Sequence, residues 1–151
     1  MMRNAIPKSP LEAESRRGPW QSITPLIAVV LGLMTIWEGG GVLFWDAAAR
    51  AAAGAYVPFV LWFNFLAGFA YVAAGVGLWK RTHWSVWLSF GILICTAAVF
   101  ATLGLHILSG GAYENRTVIA MTLRTSVWLV LAVWAHRSIS RDSVLANPKR
   151  R

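Results

Sequence analysis

The chain has 151 residues, of which 57% are hydrophobic, only 13% are charged and nine are tryptophan. A soluble domain usually has about 25% charged residues, so this composition argues against a water-soluble fold. The formal net charge of +8 is gathered at the chain ends and in one short loop, which favours lipid head groups over nucleic acid as its partner. The single cysteine, Cys95, excludes an intramolecular disulfide, disulfide-based redox chemistry and a thiolate metal cluster.

Four long apolar stretches organise the chain, at residues 22–45, 57–79, 84–108 and 117–136. Each has about 20 residues or more, which at about 1.5 Å per residue spans a hydrocarbon layer of about 30 Å. Because a backbone in lipid must pair its own polar groups, all four are predicted to be helices. Their ends carry the aromatic residues expected at a membrane interface: Trp20, Trp45, Tyr56, Trp79, Trp84 and Trp134.

The distribution of Lys and Arg predicts the orientation of these helices. The N-terminal tail, residues 1–20, has four, the second loop has two and the C-terminal segment from Arg137 onward has five, whereas the first and third loops have only Arg50 and Arg116. The positive-inside rule then places both tails in the cytoplasm. We therefore predict an all-α integral membrane protein of the bacterial inner membrane, with four transmembrane helices in an up-down bundle at residues 21–137, an N-in/C-in topology and a basic cytoplasmic tail at residues 138–151.

Four polar side chains interrupt the apolar stretches, one in each helix. Glu38, Asn64 and Arg124 each lie seven residues from the outer end of their stretch, which is about 10 Å deep, and His106 is somewhat shallower. A charge that faces lipid is costly, so Glu38 and Arg124 are expected to turn inward and pair. The pair is either a structural lock that fixes helix register or part of a ligand or ion site.

Helical spacing predicts which face of each helix turns inward. The predicted faces are Asn64, Gly68, Tyr71 and Gly75 on the second helix, Cys95, Val99, Thr102 and His106 on the third, and Thr117, Met121, Arg124 and Trp128 on the fourth. The glycines of the second helix allow another helix to approach closely. In the first helix, Gly39, Gly40 and Gly41 follow Glu38 and leave either close packing or room for a ligand.

Together these residues predict a polar pocket in the outer half of the bilayer. Its candidate ligand-binding residues are Glu38, Asn64, Tyr71, His106, Glu114 and Arg124, with the third loop, residues 109–116, as a cap. One acid, one base, one amide and one imidazole suit a small anionic or amphipathic molecule, or proton-coupled movement. Tyr71 also suits simple packing. No catalytic residue is predicted, and a binding protein is favoured over an enzyme.

The histidines limit the cofactor chemistry. Of the three histidines, only His106 lies well within a predicted membrane span, because His83 and His136 lie at the cytoplasmic face. A b-type dihaem site, which needs paired axial histidines, is therefore excluded. His106, Glu38 and Glu114 are the candidate ligands for a divalent metal, although no close His/Glu spacing marks such a site.

The end of the second helix, residues 65–81, has the sequence FLAGFAYVAAGVGLWKR and is followed at once by another helix. This glycine-rich pattern resembles the second-helix signature of DoxX-like proteins, which are small four-helix bacterial membrane proteins, some of them associated with quinone or thiosulfate oxidation. The resemblance implies a four-span layout and an accessory role in a membrane redox process. It carries over no site residue, because Glu38 and the glycines after it depart from the pattern.

Glu38 also resembles the functional helix-one glutamate of small multidrug resistance transporters, which likewise have four spans. Arg124, the longer spans and the extended tails depart from that family. Two function classes therefore stay open. The first is a protein that binds a small molecule or ion as an accessory of a membrane redox or transport complex, and the second is a minimal homodimeric proton-coupled transporter. The expected partners are the lipid bilayer and either a second copy or a larger membrane complex.

Overall fold

The computed structural model describes residues 20–146, and within that range it is all-helical, as the sequence predicts. The elements are α1 (Trp20–Gly40), a π-helical turn that continues it (Gly41–Trp45), a short α2 (Ala47–Ala52), α3 (Pro58–Trp79), α4 (His83–Leu108) and α5 (Asn115–Ala146). Nearly all of the predicted N-terminal tail and the last residues of the predicted C-terminal tail lie outside the described residues.

Four helical segments are long and apolar enough to cross a membrane, namely Ser22–Phe44, Pro58–Trp79, His83–Leu108 and Asn115–Ser138. Each agrees with its predicted stretch to within two residues at either end. The prediction of four membrane-spanning helices is therefore confirmed in length and composition, and the chain is a multi-pass membrane protein on that ground.

Local sequence explains where the short connecting helix begins. Asp46 caps α2, because its Oδ1 accepts hydrogen bonds from the backbone N–H groups of Ala48 at 2.9 Å and Ala49 at 3.0 Å. Pro58 occupies the first turn of α3, where its missing N–H leaves no helical hydrogen bond unmade. The connection between α1 and α3 is thus an ordered segment with its own helix.

Helix α5 is longer than predicted. The predicted fourth span ends at residue 136 and the predicted tail begins at residue 138, whereas α5 continues to Ala146. The apolar pattern ends near residue 138, but no proline or glycine occurs before Pro148 to interrupt the helix. The last turns of α5 therefore extend beyond the apolar span.

Helices α1 and α3 run antiparallel. They pack closely because glycines remove side-chain bulk where the two helices meet. A Cβ atom on Gly68 would lie 2.7 Å from a side-chain carbon of α1, and one on Gly75 would lie 2.9 Å from the carbonyl oxygen of Pro25. A Cβ atom on Gly39 would lie 3.2 Å from Cβ of Phe65. The predicted glycine face of the second helix is confirmed, and at Gly39 the glycine run serves packing.

The middle of the core is built around Tyr71 of α3 and Trp128 of α5. Their ring centroids are 4.8 Å apart, and both side chains are fully buried. They are surrounded by small and aliphatic residues, which are Ala28, Ala67, Ala74, Ile92 and Leu131. Met121 is also fully buried, so the inward face predicted for the fourth helix is confirmed at Met121 and Trp128.

The inward face predicted for the third helix is wrong at Cys95 and Thr102, whereas Val99 packs against the buried cluster that contains Leu103 and Met121. Cys95 and Thr102 are exposed, and the buried residues of α4 are Ser85, Ser89, Ile92, Thr96 and Leu103. The Thr102 hydroxyl donates to the carbonyl of Ala98 at 2.9 Å, so it needs no partner from another helix. A hydroxyl that is satisfied within its own helix can face lipid at little cost, which removes the reason to expect it inside.

Candidate functional site

A cavity of about 520 Å³ lies at the end of the molecule where α1 connects to α3 and α4 connects to α5. Its wall combines α1, the π-helical turn, α2, the start of α3 and the start of α5. Four of the six predicted ligand-binding residues line it, which are Glu38, Asn64, Glu114 and Arg124. The structure therefore brings together residues that are up to 86 positions apart in the chain.

The other two predicted residues, Tyr71 and His106, are not among the lining residues. Tyr71 lies in the core against Trp128. The ring of His106 turns toward the connection after α4, where its Nε2 is 3.2 Å from the carbonyl oxygen of Ala112, and it stacks edge-on with Phe59. His106 thus holds the α4–α5 connection instead of facing the cavity.

The predicted pairing of Glu38 with Arg124 is wrong. In the part of the chain that the structure describes, Glu38 forms no ion pair, and the Arg124 guanidinium donates from Nη2 to Oγ1 of Thr35 at 3.4 Å. The reason is helix register: α5 begins at Asn115, so Arg124 is nine residues into the helix and about 13 Å deep. That depth matches Thr35, which lies one helical turn deeper than Glu38.

Asn64 is the most informative of the lining residues. Its side chain is only 9% exposed, and its Oδ1 has no hydrogen-bond partner. A buried polar atom without a partner costs about 1–3 kcal/mol. Because Asn64 lines the cavity, a bound molecule with a hydrogen-bond donor would recover that energy.

Deeper than the cavity, three more polar side chains, Tyr71, Thr96 and Trp128, are fully buried. The Tyr71 hydroxyl lies beside Thr96 Oγ1 and Trp128 Nε1, so the three groups face one another, although no pair reaches regular hydrogen-bond geometry. Trp128 follows Arg124 by one helical turn on α5, so the cluster continues the polar wall of the cavity toward the middle of the membrane.

The α1–α3 connection, residues 46–57, covers the cavity and is held by charged side chains. Oε1 of Glu114 accepts a hydrogen bond from the backbone N–H of Ala55 at 3.0 Å, and Nη1 of Arg116 donates to the carbonyl of Ala52 at 3.4 Å. Gly54, with a φ of +59°, has no Cβ that would collide with the Glu114 carboxylate. The predicted cap, residues 109–116, contributes Glu114 and Arg116 to the cavity wall, and the α1–α3 connection, which these two side chains hold, contributes the rest of the cover.

Most of the lining residues were not among the predicted ligand-binding residues, and for Thr35 and Asp46 the sequence carried a signal. Thr35 precedes Glu38 by three residues, which places both on one face of α1. Asp46 directly follows the first apolar stretch and precedes an alanine run, which is the pattern of a helix N-cap. Arg116 was predicted only as a basic residue of the third loop, and it also lines the cavity.

The candidate metal ligands do not form a centre. Among residues 20–146, no group of three His, Cys, Asp or Glu side chains could hold a metal ion. Glu38 and Glu114 line the cavity, but His106 is turned away from it. The ligand chemistry of the cavity is therefore that of hydrogen bonds and charges.

Comparison with models of known protein families, with curated proteins and with solved structures finds no match to this chain. A fold made of four membrane-spanning helices serves many unrelated functions, so the function depends on the residues of the cavity.

Proposed function

We propose that this protein binds a small anionic or amphipathic molecule in the cavity, as an accessory of a membrane redox or transport process in the bacterial inner membrane. The observation that carries this proposal is the pair of cavity residues Asn64 and Arg124. Asn64 presents a buried, unpartnered Oδ1, and Arg124 presents a guanidinium whose hydrogen bond goes to a neutral hydroxyl.

Arg124 suits an anion because its guanidinium has five N–H donors in a planar fork. Thr35 occupies one of the two terminal nitrogens at 3.4 Å, which leaves donors for a carboxylate, phosphate or sulfonate. Within a membrane-spanning segment an unneutralised guanidinium is costly, so an anion that pairs with it gains more than it would in water.

The structural-lock interpretation loses support, since a lock requires Glu38 and Arg124 to contact each other. They share the cavity wall without forming an ion pair. The remaining contact, from Arg124 to Thr35, is a single long hydrogen bond between helices, and such bonds contribute about 0.6 kcal/mol in membrane proteins. A neutral side chain could join the two helices by such a hydrogen bond, so the positive charge of Arg124 is not needed for helix packing.

The membrane orientation belongs to the same proposal. Eleven of the fourteen Lys and Arg residues lie in the two tails and the second loop, which places these segments on the cytoplasmic side and the cavity in the outer half of the bilayer. The DoxX-like pattern at residues 65–81 agrees with a small four-span protein that works beside a membrane enzyme.

Binding of two chosen anions tests the proposal. Purified protein in detergent is titrated with benzoate and with decanoate, and the thermal transition is followed, because a ligand that binds the folded state raises it. We expect both anions to stabilise the wild type and not to stabilise Arg124→Gln. Arg137→Gln, at the exposed opposite end of α5, is the matched control and should respond like wild type. Stabilisation that is unchanged in Arg124→Gln, or absent in the wild type, would contradict the proposal.

A second candidate, the homodimeric proton-coupled transporter, is favoured by one observation. Glu38 lies within the first membrane span, is exposed and forms no ion pair among the described residues, as a proton-exchanging carboxylate requires. Vesicles that contain the purified protein and carry a proton gradient decide between the two. Flux of decanoate that depends on the gradient and is lost in Glu38→Gln would establish transport.

A further inference from the structure

The cavity holds two opposite charges that do not neutralise each other. Glu38 of α1 and Arg124 of α5 both line it, and within the described residues neither forms an ion pair. Both lie in segments that span the membrane, where an unpaired charge is costly. A ligand with a single charge would leave one of the two unpaired. A ligand with one anionic and one cationic group would neutralise both.

The cavity also has an opening toward the side of the molecule. The backbones of α1 and α3 lie close together, as do those of α4 and α5, whereas those of α1 and α5 lie further apart and are joined by the buried cluster of Ala28, Trp128 and Leu131 and by the Thr35–Arg124 hydrogen bond. Beside the cavity, Trp37 of α1 is 76% exposed and Glu38 is exposed, and both line the cavity, so this stretch of α1 forms the rim of a lateral gap. Because this part of α1 lies in a membrane span, the gap faces the bilayer.

We infer that the ligand is an amphipathic zwitterion, which carries one anionic and one cationic group on a small head and enters the cavity from the membrane between α1 and α5. This inference rests on the proposed function of the same site. The anionic group binds the Arg124 guanidinium, and the cationic group binds the Glu38 carboxylate. A hydrocarbon tail extends through the gap beside Trp37.

The other lining residues fit this ligand. Trp37 and Tyr56 place aromatic rings on the wall, and an ammonium group is attracted to the face of such rings. The Glu38 carboxylate accepts hydrogen bonds from a primary ammonium group, which a quaternary ammonium group cannot donate, and the amide of Asn64 lies on the same cavity wall. Val57, Val60 and Leu61 give the remaining wall an apolar surface for the carbon atoms of the head.

The same head group has two sources, a membrane lipid or a soluble molecule. The shared chemistry is a phosphate next to a primary ammonium group. Phosphatidylethanolamine carries it on acyl chains, and glycerophosphoethanolamine carries it without them. The lateral gap favours the lipid, because a soluble molecule needs no opening toward the bilayer.

Native mass spectrometry of the full chain tests the inference. The protein is equilibrated in detergent with equal amounts of phosphatidylethanolamine and phosphatidylglycerol, which has the phosphate but no ammonium group. We expect the wild type to retain phosphatidylethanolamine preferentially. Glu38→Gln should weaken retention of phosphatidylethanolamine about tenfold and leave phosphatidylglycerol unchanged, whereas Arg124→Gln should weaken both lipids. Arg124→Lys, which keeps the charge, should recover part of the binding.

The controls separate this inference from the proposed function. Thr102→Ala alters a polar residue that is exposed on α4 and off the cavity wall, and it should retain both lipids like wild type. Equal retention of the two lipids, or a Glu38→Gln variant with unchanged preference, would overturn the zwitterion while leaving anion binding at Arg124 intact. Tight binding of glycerophosphoethanolamine that matches the lipid would overturn entry from the membrane.

Discussion

Arg124 Nη2 and Thr35 Oγ1 are 3.4 Å apart, and this hydrogen bond joins α5 to α1, whose backbones lie further apart than those of α1 and α3. The contact replaces the ion pair that charge alone would predict for Arg124. It gives the guanidinium a fixed position beside the cavity without cancelling its charge. That combination of a held position and an unneutralised charge is what a binding residue needs.

The first prediction concerns the energetic coupling of Glu38, Thr35 and Arg124. Glu38→Gln and Arg124→Met should be coupled by less than about 1 kcal/mol in the free energy of unfolding, because the two side chains line one cavity but form no ion pair. Thr35→Val and Arg124→Met should show a coupling of about 0.6 kcal/mol. Reversible unfolding in mixed micelles measures both cycles. A coupling above about 1 kcal/mol between Glu38 and Arg124 would mean that the two charges meet.

The second prediction concerns the glycine contacts between α1 and α3. Gly68→Ala should destabilise the protein by about 1–3 kcal/mol, because its Cβ would lie 2.7 Å from Ile36 Cγ1 and 3.0 Å from the carbonyl oxygen of Gly32. Gly91→Ala on α4 is the matched control, since nothing lies within 4 Å of a Cβ there. The measurement is the same unfolding assay, and equal effects of the two substitutions would contradict the close crossing.

The sequence predicts the fold well because the membrane imposes simple rules. Length and hydropathy locate the four spans to within two residues, as at Pro58–Trp79. The face of α3 is also predictable, because Asn64, Gly68, Tyr71 and Gly75 recur at helical spacing and combine a polar group with glycines. On that helix the pattern and the packing coincide.

The rotation of α4 and the register of α5 are not predictable in the same way. Ser89 donates to the carbonyl of Ser85 at 2.7 Å and Thr102 to that of Ala98 at 2.9 Å, so both hydroxyls are satisfied locally, yet one is buried and the other exposed. Polarity therefore gives no direction on α4. Helix α5 begins at Asn115, two residues before the predicted start at Thr117, and this earlier start places Arg124 level with Thr35. The two additional residues are polar, so the length of the apolar stretch does not reveal that they are helical.

The third prediction concerns membrane orientation. A reporter enzyme that is active only in the periplasm, fused after Arg151, should give no signal, because the basic residues cluster at both tails and the second loop. Fusing the same reporter in the α1–α3 connection, next to Gly54, should give a strong signal. The reverse pattern would place the cavity in the cytoplasmic half of the bilayer and contradict the proposed orientation.

The fourth prediction concerns Asn64, where stability and binding should change in opposite directions. Asn64→Leu removes a buried Oδ1 that has no partner and replaces the amide with a side chain of similar size, so the free protein should gain about 1 kcal/mol of stability. A residue kept for packing would show a loss. If the amide binds a ligand, the same variant should bind phosphatidylethanolamine more weakly than wild type in the retention assay. Thr102→Ala, which removes an exposed hydroxyl on α4 away from the cavity, is the control and should leave that binding unchanged. A destabilised Asn64→Leu variant with normal lipid retention would show that Asn64 serves the fold and not the site.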